Sequence, residues 1–142
     1  MKRIVYMRSD GGTSIIVPAT DERIEVILIK DVPVDAQNVR VVDESEIPSD
    51  RTFRNAWKPD LSVDMPKALV IAQDKVRAAR APKLAALDVE FQRAIEDSDN
   101  ARQAAVALQK RRLRDATSDA RITQAQTPEA LKAAMQAVIA EL

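Results

Sequence analysis

Residues 65–142 contain no glycine and hold 20 of the chain's 23 alanines. That composition leaves few folds open. Alanine has the highest intrinsic helix propensity and glycine is among the lowest, so this half of the chain is expected to be helical. Alanine also supplies little apolar volume. Helices built from it bury surface by close approach to each other or to a second chain, not around a thick core. Both glycines, Gly11 and Gly12, sit together near the N-terminus.

The 142 residues include no Cys and no His. Disulfides, Ser-His-Asp and Cys-His arrangements are therefore impossible, and no glycine-rich phosphate loop is spelled out. No catalytic residue, cofactor-binding residue or metal ligand is assigned, and the expectation is a protein that is not an enzyme. Asp43, Glu44 and Glu46 cluster but lack EF-hand spacing. The 22 basic and 22 acidic side chains balance to a formal net charge of zero, which argues against general binding to nucleic acid. No apolar run reaches the ~18 residues of a membrane span and no signal-peptide pattern opens the chain. Synthesis in the cytoplasm is expected, with no membrane partner.

Along the chain, residues 3–8 read as a strand, Ser9-Asp10-Gly11-Gly12 as a hairpin turn, and Thr13–Val17 as the returning strand, stopped by Pro18. Residues 21–30 are ambiguous. Ile24, Ile27 and Leu28 share a helical face with Asp21 as a candidate cap, while Val26–Ile29 is also strand-like; a short helix is favoured. Val39, Val41 and Val42 mark a third strand. Residues 44–64 form a connector with Pro48 and Pro59 that carries Phe53 and Trp57, four apart. These two aromatics either plug the joint between head and helices or anchor a partner.

Asp64 and Pro66 open a long helix. Its stripe runs Leu69, Ala72, Val76, Ala79, shifts phase at Pro82, then resumes as Leu84, Leu87, Phe91 and Ala94 or Ile95, so a bend at Pro82 is expected. A second helix is expected over about 100–115, with Ala101, Ala104, Ala105 and Leu108 facing inward. Its basic end, Lys110, Arg111, Arg112 and Arg114, suits the helix dipole; a second reading is contact with nucleic acid or an acidic partner. Residues 116–127 read as polar and loop-like, with room for one helical turn. Thr127-Pro128 starts a terminal helix over about 128–142, striped by Leu131, Ala134, Met135, Val138 and Leu142, which must dock on the long helix or on a neighbour. Leu131, Met135 and Val138 therefore join Phe53 and Trp57 as candidate partner-binding residues.

Three stretches carry a resemblance. The first is Val42-Asp43-Glu44-Ser45-Glu46-Ile47-Pro48-Ser49-Asp50-Arg51-Thr52-Phe53-Arg54-Asn55-Ala56-Trp57, continued by Val63-Asp64-Met65-Pro66-Lys67-Ala68. The second runs from Arg77-Ala78-Ala79-Arg80-Ala81-Pro82 to Glu90. The third is Thr127-Pro128-Glu129-Ala130-Leu131-Lys132. Together they resemble small proteins encoded in the tail modules of tailed bacteriophages and prophages, tail or tail-fibre structural or assembly proteins. The resemblance implies protein–protein contacts with other tail or fibre proteins, a homo-oligomer and a place in the virion tail, and it carries no catalytic residues. Two alternatives stand beside it: an assembly chaperone that leaves the particle, and a small DNA-binding regulator using Lys110–Arg114. The expected fold is α+β, with a β-hairpin or three-stranded head at 1–43, the aromatic connector at 44–64, and an antiparallel helical arm at 65–142.

Overall fold

A computed structural model describes all 142 residues. The fold is α+β, a three-stranded antiparallel sheet followed by long helices. The elements are β1 (Lys2–Met7), β2 (Thr13–Ile16), α1 (Ile24–Lys30), β3 (Gln37–Asp43), α2 (Met65–Glu96), α3 (Asn100–Asp115), α4 (Ala120–Thr123) and α5 (Pro128–Glu141), with short 3-10 turns between them. They divide into two compact units, Met1–Ala68 and Leu69–Leu142.

In the first unit β1 is central, in the order β2-β1-β3. The hairpin closes through Arg8 N–H to the Gly12 carbonyl at 2.7 Å and Gly11 N–H to the Arg8 carbonyl at 3.0 Å. Gly11 sits at φ +81°, where a Cβ is disfavoured. A Cβ on Gly12 would run into the Arg8 guanidinium. On the other side of β1, the register moves from Val5↔Arg40 to Met7↔Gln37, leaving Asn38 and Val39 opposite Tyr6 alone. Asn38 takes the extra residue of this bulge at φ +51°, a conformation Asn tolerates better than most residues.

Alternation along β1 sends Val5 to one face and Ile4 and Tyr6 to the other, and all three are buried. α1 packs against β1 with Ile24, Ile27 and Leu28 half-buried. Asp21 does not cap that helix. It accepts the Lys2 backbone N–H at 2.7 Å, tying the turn before α1 to the start of the sheet. The opposite face is covered by residues 44–64. That segment is no separate connector: Trp57 and Leu61 close a core with Val5 and Val42, and Ile15, Ile47 and Val63 pack at its edge. Leu61 is buried at φ +67°, a costly backbone for a bulky residue, in the tight loop where Lys58 N–H meets the Ser62 carbonyl at 2.8 Å.

In the second unit α2 runs unbroken through Pro82, which removes one N–H from its ladder. Side-chain bonds set α3 antiparallel to it. Gln103 donates to the Ala94 carbonyl, Arg80 to the Leu113 and Arg114 carbonyls, and Gln73 to the Thr117 carbonyl. The inward face of α3 is not the alanine stripe. Ala101, Ala104, Ala105 and Leu108 are exposed, while Val106 and Leu113 are buried and Arg102, Gln103 and Lys110 half-buried. Branched and long side chains bury more area per residue than alanine, and Arg102 and Lys110 are half-buried with their charges paired to Glu90 and Asp88. The 116–127 segment holds the one helical turn it allowed, α4, after a short 3-10 turn at 116–118. Asp119 caps α4 through the Arg121 N–H, and Ile122 is only 1% exposed.

Candidate interaction surfaces

The five residues expected to meet a partner are placed first by their burial. Phe53 and Trp57 are each 4% exposed inside the first unit, where Trp57 belongs to the sheet core. Leu131, Met135 and Val138 form the buried stripe of α5, which packs against α4. All five are buried in the folded chain, so none of them presents an exposed apolar side chain. The aromatic pair is split by a 3-10 turn, with Phe53 entering it and Trp57 leaving it extended.

Other side chains are displayed. In the first unit Val26 is 59% exposed, Ile29 86% and Val34 fully exposed, on α1 and the loop after it, with Val39 and Val41 half-exposed on the edge strand β3. Two of these, Val26 and Ile29, belong to the apolar run that made residues 21–30 look strand-like. In a helix that run cannot all face one side, and these two are what the sheet leaves over.

A groove of about 490 Å³ lies on the Trp57 side of the sheet. Arg3 sits in it with its side chain buried, Nη2 at 2.7 Å from Glu44 Oε1. Ile15, Val17, Ile47 and Pro48 line the groove with Arg51, Arg54 and Ser49. Arg51 lies over the Trp57 ring, 5.5 Å from its centroid. Composition alone gave no sign of this site, since Arg3 is 51 residues from Arg54 in sequence.

The acidic cluster has local work. Asp43 accepts from the Ser45 N–H and hydroxyl, Glu46 reaches back to the Asp43 N–H in a capping box, and Glu44 holds Arg3. The Ser45 bonds hold the Asp43 carboxyl below its usual range. The same Asp-x-X turn recurs at Asp10 to Gly12, Asp50 to Thr52, Asp60 to Ser62 and Asp119 to Arg121. No group of three or more acidic side chains comes together to hold a metal.

The basic end of α3 is partly engaged. Lys110 meets Asp88 at 2.5 Å and lies over the Phe91 ring, 5.3 Å from its centroid. The Arg80 side chain satisfies the last carbonyls of α3, where a cation also suits the helix dipole. Arg121 is clamped by Glu141 and Asp119. Arg111, Arg112 and Arg114 remain exposed. No helix is long and apolar enough to cross a membrane. No protein-family model, curated protein or solved structure matches the chain.

Proposed function

We propose that this chain is a non-enzymatic structural component of a bacteriophage tail, baseplate or tail fibre, acting through contacts with other tail proteins and with copies of itself. The resemblance of residues 42–95 and 127–132 to tail-module proteins supplies the context. The observation that carries the reading is the set of exposed aliphatic side chains in the first unit, Val26, Ile29 and Val34 on α1 and the loop after it, together with half-exposed Val39 and Val41 on edge strand β3. Exposed large aliphatic side chains and an unpaired strand edge both suit a protein that completes its burial against a neighbour.

The test is incorporation. Ile29→Asp with Val34→Asp removes apolar contact from two side chains that hold nothing inside the unit, so the melting temperature stays as in the parent. Assembled particles then contain less of the chain. Normal incorporation of the double variant contradicts the reading. The chaperone alternative uses the same surface and differs only in the fate of the chain after assembly. The DNA-binding alternative is not favoured, because Lys110 is already paired with Asp88.

A further inference from the structure

We infer that the groove of the first unit binds an extended acidic segment of a partner polypeptide. This goes beyond the tail assignment and stands or falls separately from it.

One guanidinium–carboxylate contact is already present in the groove. Arg3 is buried and charged, and the chain's own Glu44 carboxylate sits on its guanidinium at 2.7 Å. Beside it, Arg51 and Arg54 form no salt bridge with any carboxylate of the chain. Two guanidiniums without a carboxylate partner in the lining favour anionic groups, and their planar forks suit carboxylates in particular. The Arg51 side chain is held over the Trp57 ring. Less rotamer freedom is therefore lost when it takes a ligand.

Much of the remaining lining is apolar. Ile15, Ile47 and Pro48 are half-buried, and Val17 is exposed. A small inorganic anion would leave that apolar lining uncovered, whereas a peptide alternating acidic and aliphatic side chains meets both kinds of lining. β2 is an edge strand carrying Ile15, with Val17 just beyond it. An added strand pairs with such an edge and turns every second side chain to one face. Nucleic acid fits less well, because Glu44 lines the same groove and two free arginines neutralise few phosphates.

The experiment uses the full chain and a short fluorescein-labelled peptide alternating Glu with Val, followed by anisotropy and by emission of Trp57, the sole tryptophan. The matched Lys-Val peptide, a thymidine oligonucleotide and phosphatidylglycerol vesicles are run beside it. Saturable binding of the Glu-Val peptide is expected, weakened about tenfold or more by Arg51→Ala with Arg54→Ala and by added salt. If loss of the Trp57 stack lowers stability, Arg54→Glu alone decides. Arg54 is exposed and unpaired, so that variant keeps the parent melting curve, loses the Glu-Val peptide and gains affinity for the Lys-Val peptide. No saturable binding, equal binding of both peptides, indifference to Arg54→Glu, or tighter binding of oligonucleotide or vesicles overturns the inference.

Discussion

The Thr13 hydroxyl donates to the Trp57 carbonyl at 2.6 Å, across 44 residues of sequence. This bond fastens the first residue of β2 to the segment that closes the core, and the Trp57 indole lies beneath it against Val5, Val42 and Leu61. Trp57→Ala should cost about 3–5 kcal/mol, as expected for a large aromatic removed from a core. Thermal unfolding followed by circular dichroism checks this. An unchanged melting temperature would mean that the indole is not part of the core.

Pro82 stands inside α2 on its exposed side, where the helix lacks one backbone donor. Pro82→Ala should restore that bond and raise stability, by up to about 3 kcal/mol. Particle assembly measured with the same variant reads out whether the proline has a further role. Lower stability of Pro82→Ala would show that the helix needs the proline geometry.

Burial within the second unit separates two aliphatic residues that a sequence reading ranks the other way. Ile122→Ala should cost about 2–5 kcal/mol, whereas Leu108→Ala, at a residue 45% exposed, should stay within about 0.5 kcal/mol. Denaturant melts of the two variants decide it. A larger cost at Leu108 would restore the alanine face as the inner face of α3.

Stability should be flat between pH 5 and 8 and fall in acid. No His or Cys is present to titrate near neutrality. The Asp10, Asp43, Asp60 and Asp119 carboxyls lie below their usual range, chiefly through hydrogen bonds from Gly12, Ser45, Ser62 and Arg121 respectively. Arg121 likewise lowers Glu141, and Glu141 and Asp119 in turn raise Arg121. Carboxyls depressed in the folded state stabilise it above the ordinary carboxylate range, about pH 4. That contribution fades as pH falls through the depressed folded values, because the unfolded chain takes up protons first. Melting temperatures from pH 8 to 2 test this, and a loss of stability between pH 8 and 5 would contradict it.

What the sequence made legible was the local chemistry. Gly11 and Gly12 marked the hairpin, Asp64 and Pro66 the start of α2, and Thr127 with Pro128 the start of α5. Each is a short-range signal, and in the structure Thr127 accepts the Ala130 N–H as a cap should. The faces and the sites were less legible because they depend on distant partners. Arg102 and Lys110 look solvent-facing until Glu90 and Asp88 are placed opposite them. Ile122 lies in a polar stretch, and nothing near it predicts its burial. The 44–64 segment reads as a joint by composition, yet it closes a core with Val5 at the other end of the unit. The groove joins Arg3 to Arg54 by topology alone.

The most direct test of the tail assignment is the protein content of purified tailed particles from the strain that encodes the chain, measured by quantitative mass spectrometry. The account predicts the chain in the particles at a fixed ratio to the other tail proteins. Its absence from washed particles, while it remains abundant in the lysate that assembled them, would contradict a structural role and favour a protein that acts in assembly and leaves.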